Sequence, residues 1–202
     1  MATIYDLKPR FQALLRPMAA RLVQAGASAN GVTLAALIMS LAQGAAMAFW
    51  PEARWPLLLL PVTLLVRMAL NAIDGIMAKE HGQKTKVGAL FNELSDVVSD
   101  AALYLPFALI AGVNAAFVVL VVIASTIAEM TGVLGPMIGA TRRYDGPFGK
   151  SDRAFAFGTL AVLLGIGLAP GLWTTIILAA MLALGILTIW SRARRGLDEA
   201  AQ

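Results

Sequence analysis

The sequence predicts an all-α integral membrane protein, with six transmembrane helices behind an amphipathic interfacial helix and both termini cytoplasmic. Three observations carry this reading. Of 202 residues, 59% are hydrophobic and 14% charged, with a mean hydropathy of +0.76, whereas soluble domains hold about 25% charged residues. A core of this length cannot bury so much apolar surface, which excludes an ordinary soluble, disordered or fibrous protein. The apolar residues also fall in runs of the ~20 residues that cross a bilayer as a helix, without the alternation of a β-barrel. Finally, Lys and Arg gather on one side of those runs.

The spans read from Gly31 to Trp50, Trp55 to Ala78, Gly88 to Val113, Ala115 to Ala140, Ala154 to Ala169 and Leu172 to Trp190. Residues 1–202 form one membrane domain: an arm over 1–30, a bundle over 31–190 and a cytoplasmic tail over 191–202. With both termini cytoplasmic, that side holds Lys8, Arg10, Arg16, Arg21, Lys79, Lys84, Lys86, Arg142, Arg143, Lys150, Arg153, Arg192, Arg194 and Arg195. The opposite loops hold only Arg54, and Arg67 lies within the second span. This positive-inside bias explains the net charge of +4 without invoking nucleic acid. No secretory signal peptide is read, since the first apolar run begins near residue 31 and continues too long. The absence of Cys excludes thiol chemistry and disulfides.

The arm places Ile4, Leu7, Phe11, Leu14, Met18 and Leu22 at helical spacing between basic residues. It suits the headgroup layer of an anionic leaflet, as an anchor or a shaper of lipid access. Pro17 kinks or divides it, and Asn30 caps the first span. Trp50, Trp55, Trp173 and Trp190 lie near span ends as interfacial anchors. The small-residue stretch Ser40-Leu41-Ala42-Gln43-Gly44-Ala45-Ala46 permits close helix approach.

Ionisable residues inside spans cost on the order of 3 kcal/mol and face the bundle interior. On the second span Arg67, Asn71, Asp74 and Ala78 share one face by their spacing. On the third span Asn92, Glu93, Asp96 and Asp100 do likewise, and the short loop between makes the two helices antiparallel neighbours. Four carboxylates and two amide oxygens would thus converge near the cytoplasmic end. They require neutralisation by protonation, by basic side chains in helix-end salt bridges, or by hard divalent ions such as Mg²⁺, Mn²⁺ or Ca²⁺. His81, the single histidine, reads as a solvated loop residue. Glu129 of the fourth span either pairs with Arg67 or lines a substrate path.

The run Asn71-Ala72-Ile73-Asp74-Gly75-Ile76-Met77-Ala78-Lys79, an eight-residue spacer, and Gly88-Ala89-Leu90-Phe91-Asn92-Glu93-Leu94-Ser95-Asp96 resembles the CDP-alcohol phosphotransferase signature. That signature reads D-x-x-D-G-x-x-A-R, about eight residues, then G-x-x-x-D-x-x-x-D. The likeness extends to a proteobacterial inner-membrane branch in which Asn-Ala-x-Asp-Gly also occurs. Asn71 and Asn92 stand at two of the usual Asp positions, and Lys79 replaces the Arg.

The resemblance implies transfer of a phosphatidyl-type group from a CDP-linked lipid such as CDP-diacylglycerol to an alcohol acceptor, releasing CMP, in phospholipid biosynthesis. It implies a metal-dependent enzyme holding one or two Mg²⁺ or Mn²⁺ ions, a homodimer, and a bacterial inner-membrane location with its site facing the cytoplasm. Carried onto this chain, Asp96 is the general base. Asp74, Asp96, Asn71 and Asn92 stand at the metal positions, with Glu93 or Asp100 replacing a missing ligand. Gly75, Ala78, Lys79 and Gly88 lie along the nucleotide. Arg142, Arg143, Lys150 and Arg153 suit an acceptor alcohol that can itself carry a phosphate, or serve topology and membrane-lipid headgroups. The two Asn departures leave open a catalytically degenerate lipid- or nucleotide-binding protein. A small ion transporter fits less well, because the charges cluster at one membrane face.

Overall fold

A computed structural model describes residues 4–201, with side chains from residue 11 onward. The expected contributions of Ile4, Leu7, Lys8 and Arg10 to the arm lie outside the described side chains. The chain is 81% helix, with no strand among the described residues. Among the described residues seven α-helices follow one another: α1 Ile4–Gln24, α2 Ala29–Phe49, α3 Arg54–Glu80, α4 Lys86–Tyr104, α5 Ala115–Leu134, α6 Lys150–Gly165 and α7 Leu172–Ala200. Short 3-10 segments at Leu105–Leu109 and Gly135–Ile138 extend α4 and α5.

Among the described residues, four helices are long and apolar enough to cross a membrane: α2, α3, α5 with its extension, and α7. The two other expected spans do not meet that measure. α4 has 19 residues and includes Lys86, Glu93, Asp96 and Asp100, while α6 has 16 residues. At 1.5 Å per residue, α6 falls short of a ~30 Å hydrocarbon core.

The chain forms two compact units, Met1–Ala42 with Val62–Ser99, and Gln43–Pro61 with Asp100–Gln202. In the first, Leu15 and Ala19 of α1 pack with Ala29 and Val32 of α2 and with Ile73, Ile76 and Met77 of α3. Leu14 and Met18 of α1 are 76% and 47% exposed, apolar side chains turned away from this core. Helix α1 runs undivided through Pro17. Arg16 secures it by pairing with Glu80 of α3 at 3.0 Å.

The start of α2 is capped by Ser28, whose Oγ accepts from the Gly31 amide at 3.1 Å, rather than by Asn30. Gln83, in the α3–α4 loop, accepts from the Ala29 amide at 2.6 Å and donates to the Ala27 carbonyl at 3.3 Å. Two polar groups at the α1–α2 junction are thereby satisfied.

Helix α4 is amphipathic in the inverted sense. Leu90, Leu94 and Val98, spaced by four, are exposed, while Ser95, Ser99 and Asp100 are buried. In water such an arrangement strands apolar surface; against lipid it places each side chain in its preferred surroundings.

In the second unit α5 packs along α7, and Gly44 of α2 lies against α4, where an added Cβ would come within 2.1 Å of the Ala102 carbonyl oxygen. The close approach expected of that small-residue stretch is present there. Asn114 caps α5 by accepting from the Phe117 amide at 3.3 Å.

Candidate active site

In the first unit, the i, i+4, i+7 spacing of Arg67, Asn71 and Asp74 brings all three to one face of α3, and Asn92 and Asp96 stand one turn apart on α4. The antiparallel pair makes two crossed contacts. Asn71 Nδ2 donates to Asp96 Oδ1 at 2.9 Å, and Asn92 Nδ2 donates to Asp74 Oδ2 at 3.3 Å. Each Asn therefore serves the Asp of the opposite helix. An Asp at either Asn position would set two carboxylates together, whereas the amide turns repulsion into a hydrogen bond.

Two further residues support the carboxylates. Thr33 of α2 places its hydroxyl 2.7 Å from Asp74 Oδ2 and 3.1 Å from the Ala29 carbonyl. Arg67, buried within α3, donates through Nη2 to the Asp96 carbonyl at 3.0 Å and to Asp96 Oδ1 at 3.5 Å. Asp74 is buried, while the Asp96 side chain is 24% exposed. Thr33 escaped the sequence reading, because a Thr one turn into an apolar helix ordinarily bonds its own i−4 carbonyl.

Of the residues expected along the nucleotide, Gly75 has open space where a side chain would project, and Lys79 is exposed. At Gly88 an added Cβ would meet Asn30 Oδ1 at 2.7 Å and Thr85 Oγ1 at 2.8 Å. Glu93 is half-buried next to Asn92, turned about 100° around the helix from it. His81 is exposed, as read. Among the described residues, no three carboxylate or imidazole groups gather to hold one metal ion.

In the second unit, Asp100 is engaged by a different partner from the one expected. Its Oδ2 accepts from Arg153 Nη2 at 2.9 Å and Nε at 3.3 Å. Its carboxylate is thus paired with a fully buried guanidinium. Glu129 accepts from Arg153 Nη2 at 2.9 Å and lies 3.4 Å from Arg192 Nη1 and 3.9 Å from Arg142 Nη2. Arg192 further donates to the Ala128 carbonyl at 2.6 Å and the Asp145 carbonyl at 3.1 Å. Arg192 lies within α7, which continues to Ala200, and is buried there.

The expected acceptor arginines are likewise occupied. Arg143 pairs with Asp145 at 2.8 Å and with Glu199, and Arg142 lies over the Tyr144 ring at 4.7 Å. Arg195 adds a second bond to Asp145 at 2.6 Å. Burial raises the Asp145 pKa, but the Arg195 and Arg143 hydrogen bonds and charges outweigh it and hold the carboxyl below its ordinary value of 3.8. Lys150 opens α6.

No family model matches the chain. It is 42% identical over 195 residues to the inner membrane protein YnbA of Escherichia coli (strain K12), covering 96% of this chain and 94% of that protein. The fold is similar to that of Mycobacterium tuberculosis phosphatidylinositol phosphate synthase (PgsA1) with CDP-DAG bound. The TM-score there is 0.71 at 18% identity, covering 93% of this chain and 94% of the other. The same enzyme in complex with manganese and citrate gives a TM-score of 0.70 at 18% identity, covering 93% and 89%. At that identity the likeness is one of fold.

Proposed function

Because the chain belongs to the family of the inner membrane protein YnbA and has the fold of a CDP-alcohol phosphotransferase, we propose that it transfers a phosphatidyl-type group from a CDP-linked lipid to an alcohol. The observation that carries this reading is the crossed pairing of Asn71 with Asp96 and Asn92 with Asp74. It keeps the four positions of the resembling motif together on α3 and α4 although two of them have changed chemistry.

The donor set tests whether a divalent ion fits. Two carboxylates and two amide oxygens are hard ligands suited to Mg²⁺ or Mn²⁺. Their two negative charges, set against Arg67, match one such ion better than two. Asp74 and Asp96 would hold it, with the Asn71 and Asn92 amides turning oxygen rather than N–H toward it. When bound, a divalent ion neutralises the diphosphate and stabilises departing CMP.

The remaining work belongs to the chain. Open space at Gly75 admits the nucleotide beside α3, and Ala78 and Gly88 keep neighbouring surface low. Lys79 supplies a point charge to phosphate. Asp96 accepts the proton of the acceptor hydroxyl as its oxygen attacks the phosphorus bonded to the lipid alcohol. A new P–O bond forms, the bond to the nucleotide phosphate breaks, and CMP leaves with the electron pair. Arg67 and Asn71 hold Asp96 in place for that transfer. Residues Arg142, Arg143, Lys150 and Arg153 remain our assignment for the acceptor region.

We place the protein in the bacterial inner membrane as a multi-pass homodimer with its site on the cytoplasmic face. In that setting α4 spans despite its charges, because its polar face is inward and its Leu90–Leu94–Val98 face meets lipid. The experiment is to incubate purified protein with CDP-diacylglycerol, Mg²⁺ or Mn²⁺, and a panel of alcohols. A product whose mass equals phosphatidyl plus alcohol, with equimolar CMP, supports the reading. Absence of CMP under every combination overturns it.

A further inference from the structure

Three guanidiniums, from Arg142, Arg153 and Arg192, surround the single carboxylate of Glu129 within the second unit. Converging arginines are the arrangement that recognises a phosphate. Here the anion at their focus is a side chain of the protein itself.

The focal arginine has little left to offer. Arg153 is fully buried, and its Nε, Nη1 and Nη2 are directed to Asp100, the Phe148 carbonyl and Glu129 respectively, with Nη2 shared by Asp100. Arg192 is 3% exposed and spends its donors on two backbone carbonyls as well as Glu129. Only Arg142 keeps an appreciably exposed side chain, at 30%. Within this cluster, three positive charges face Glu129 and Asp100, leaving a single net positive charge. A phosphate monoester brings about −1.5 to −2 near neutral pH. It would have to displace Glu129 or sit beside a like charge in a site of low dielectric.

We propose that Glu129 is a specificity-determining residue: it fills the anion position among these arginines, so the acceptor is an unphosphorylated alcohol. This rests on the acceptor region assigned under the proposed function, and it narrows the substrate class there. Glu129 acts by exclusion, holding the arginines as a neutralised set while hydroxyl-bearing neutral or zwitterionic acceptors remain compatible with the net charge.

The test begins with binding and needs no CDP-lipid, so its outcome is separate from that of the transfer reaction. Detergent-purified protein is titrated with inorganic phosphate and with glycerol 3-phosphate, following thermal stability and heat of binding. Wild type is expected to show no saturable binding, and Glu129→Gln to gain roughly tenfold or more in phosphate affinity. A transfer assay then compares glycerol with glycerol 3-phosphate, and the wild type should use the free alcohol. Saturable phosphate binding by the wild type, or its preference for the phosphorylated acceptor, overturns the proposal. So does a folded Glu129→Gln protein with no gain in phosphate binding. Should that variant fail to accumulate, the wild-type titration decides alone. If no acceptor yields CMP, the phosphotransferase reading fails while the binding result still stands on its own.

Discussion

Asn71 of α3 donates to Asp96 of α4 across 2.9 Å, joining the two helices at a position where a carboxylate would repel. With Asn92 and Asp74 it forms a crossed set in which each acid has an amide partner. The two helices are thus joined through these amides.

That leads to the first prediction. Asn71→Asp replaces a donor with a second charge beside Asp96 and should destabilise the metal-free protein by about 1–3 kcal/mol. Adding Mg²⁺ or Mn²⁺ should restore more stability to the variant than to the wild type. Thermal unfolding in chelator and in excess ion checks this, and equal responses from both proteins would contradict it.

Arg67 supports Asp96 from within α3 and is 3% exposed. Arg67→Met keeps much of the side-chain volume but removes the cation and its bonds. The expected loss is about 1–3 kcal/mol, below that for a fully buried pair because Asp96 is partly exposed. CMP release should fall alongside, through misplacement of Asp96. A variant with unaltered stability and turnover would show that Arg67 does not position the acid.

A backbone test separates strain from crowding. Gly146 has φ +110°, and an added Cβ would lie 2.6 Å from Thr188 Cγ2 and 2.8 Å from its Cα. Gly82 has φ +69° with nothing within 4 Å of the same atom. Gly82→Ala should cost about 1–2 kcal/mol for conformation alone, and Gly146→Ala clearly more. Paired melting curves measure the difference; equal losses would refute the crowding argument.

The loop acid Asp145 gives a pH signature. Its folded pKa lies below the ordinary value of 3.8, so its stabilising contribution is complete above that value. It is lost as pH falls through the depressed folded value. Asp145→Asn should flatten that part of the acid limb of stability against pH. An unchanged limb would mean that Arg143 and Arg195 do not stabilise the charged form.

The fold and the acid cluster were legible to different degrees, for physical reasons. The helical runs emerge from the sequence because span length is set by bilayer thickness, and the observed starts of α2, α3 and α5 lie within two residues of the expected ones. The Asn71–Asp74 and Asn92–Asp96 faces were readable because i, i+3 and i+4 spacing is local, and a short loop forces their helices to be neighbours. Partners distant in sequence were not readable. Glu129 could have met any basic residue at its depth, and its neighbours Arg153 and Arg192 are set by how α5, α6 and α7 pack. Asp100 continues the acidic stripe in spacing, but Arg153 claims it. The clue to Arg192 was available: no Gly or Pro intervenes between Trp190 and Arg195, so nothing ends α7 at the expected boundary.

The most direct test of the central claim is CMP release from CDP-diacylglycerol by wild-type protein and Asp96→Asn, assayed side by side with an alcohol acceptor and Mn²⁺ or Mg²⁺. The account predicts release by the wild type that chelator abolishes, and loss of at least about a hundredfold in a folded Asp96→Asn variant. Full activity of that variant would contradict it.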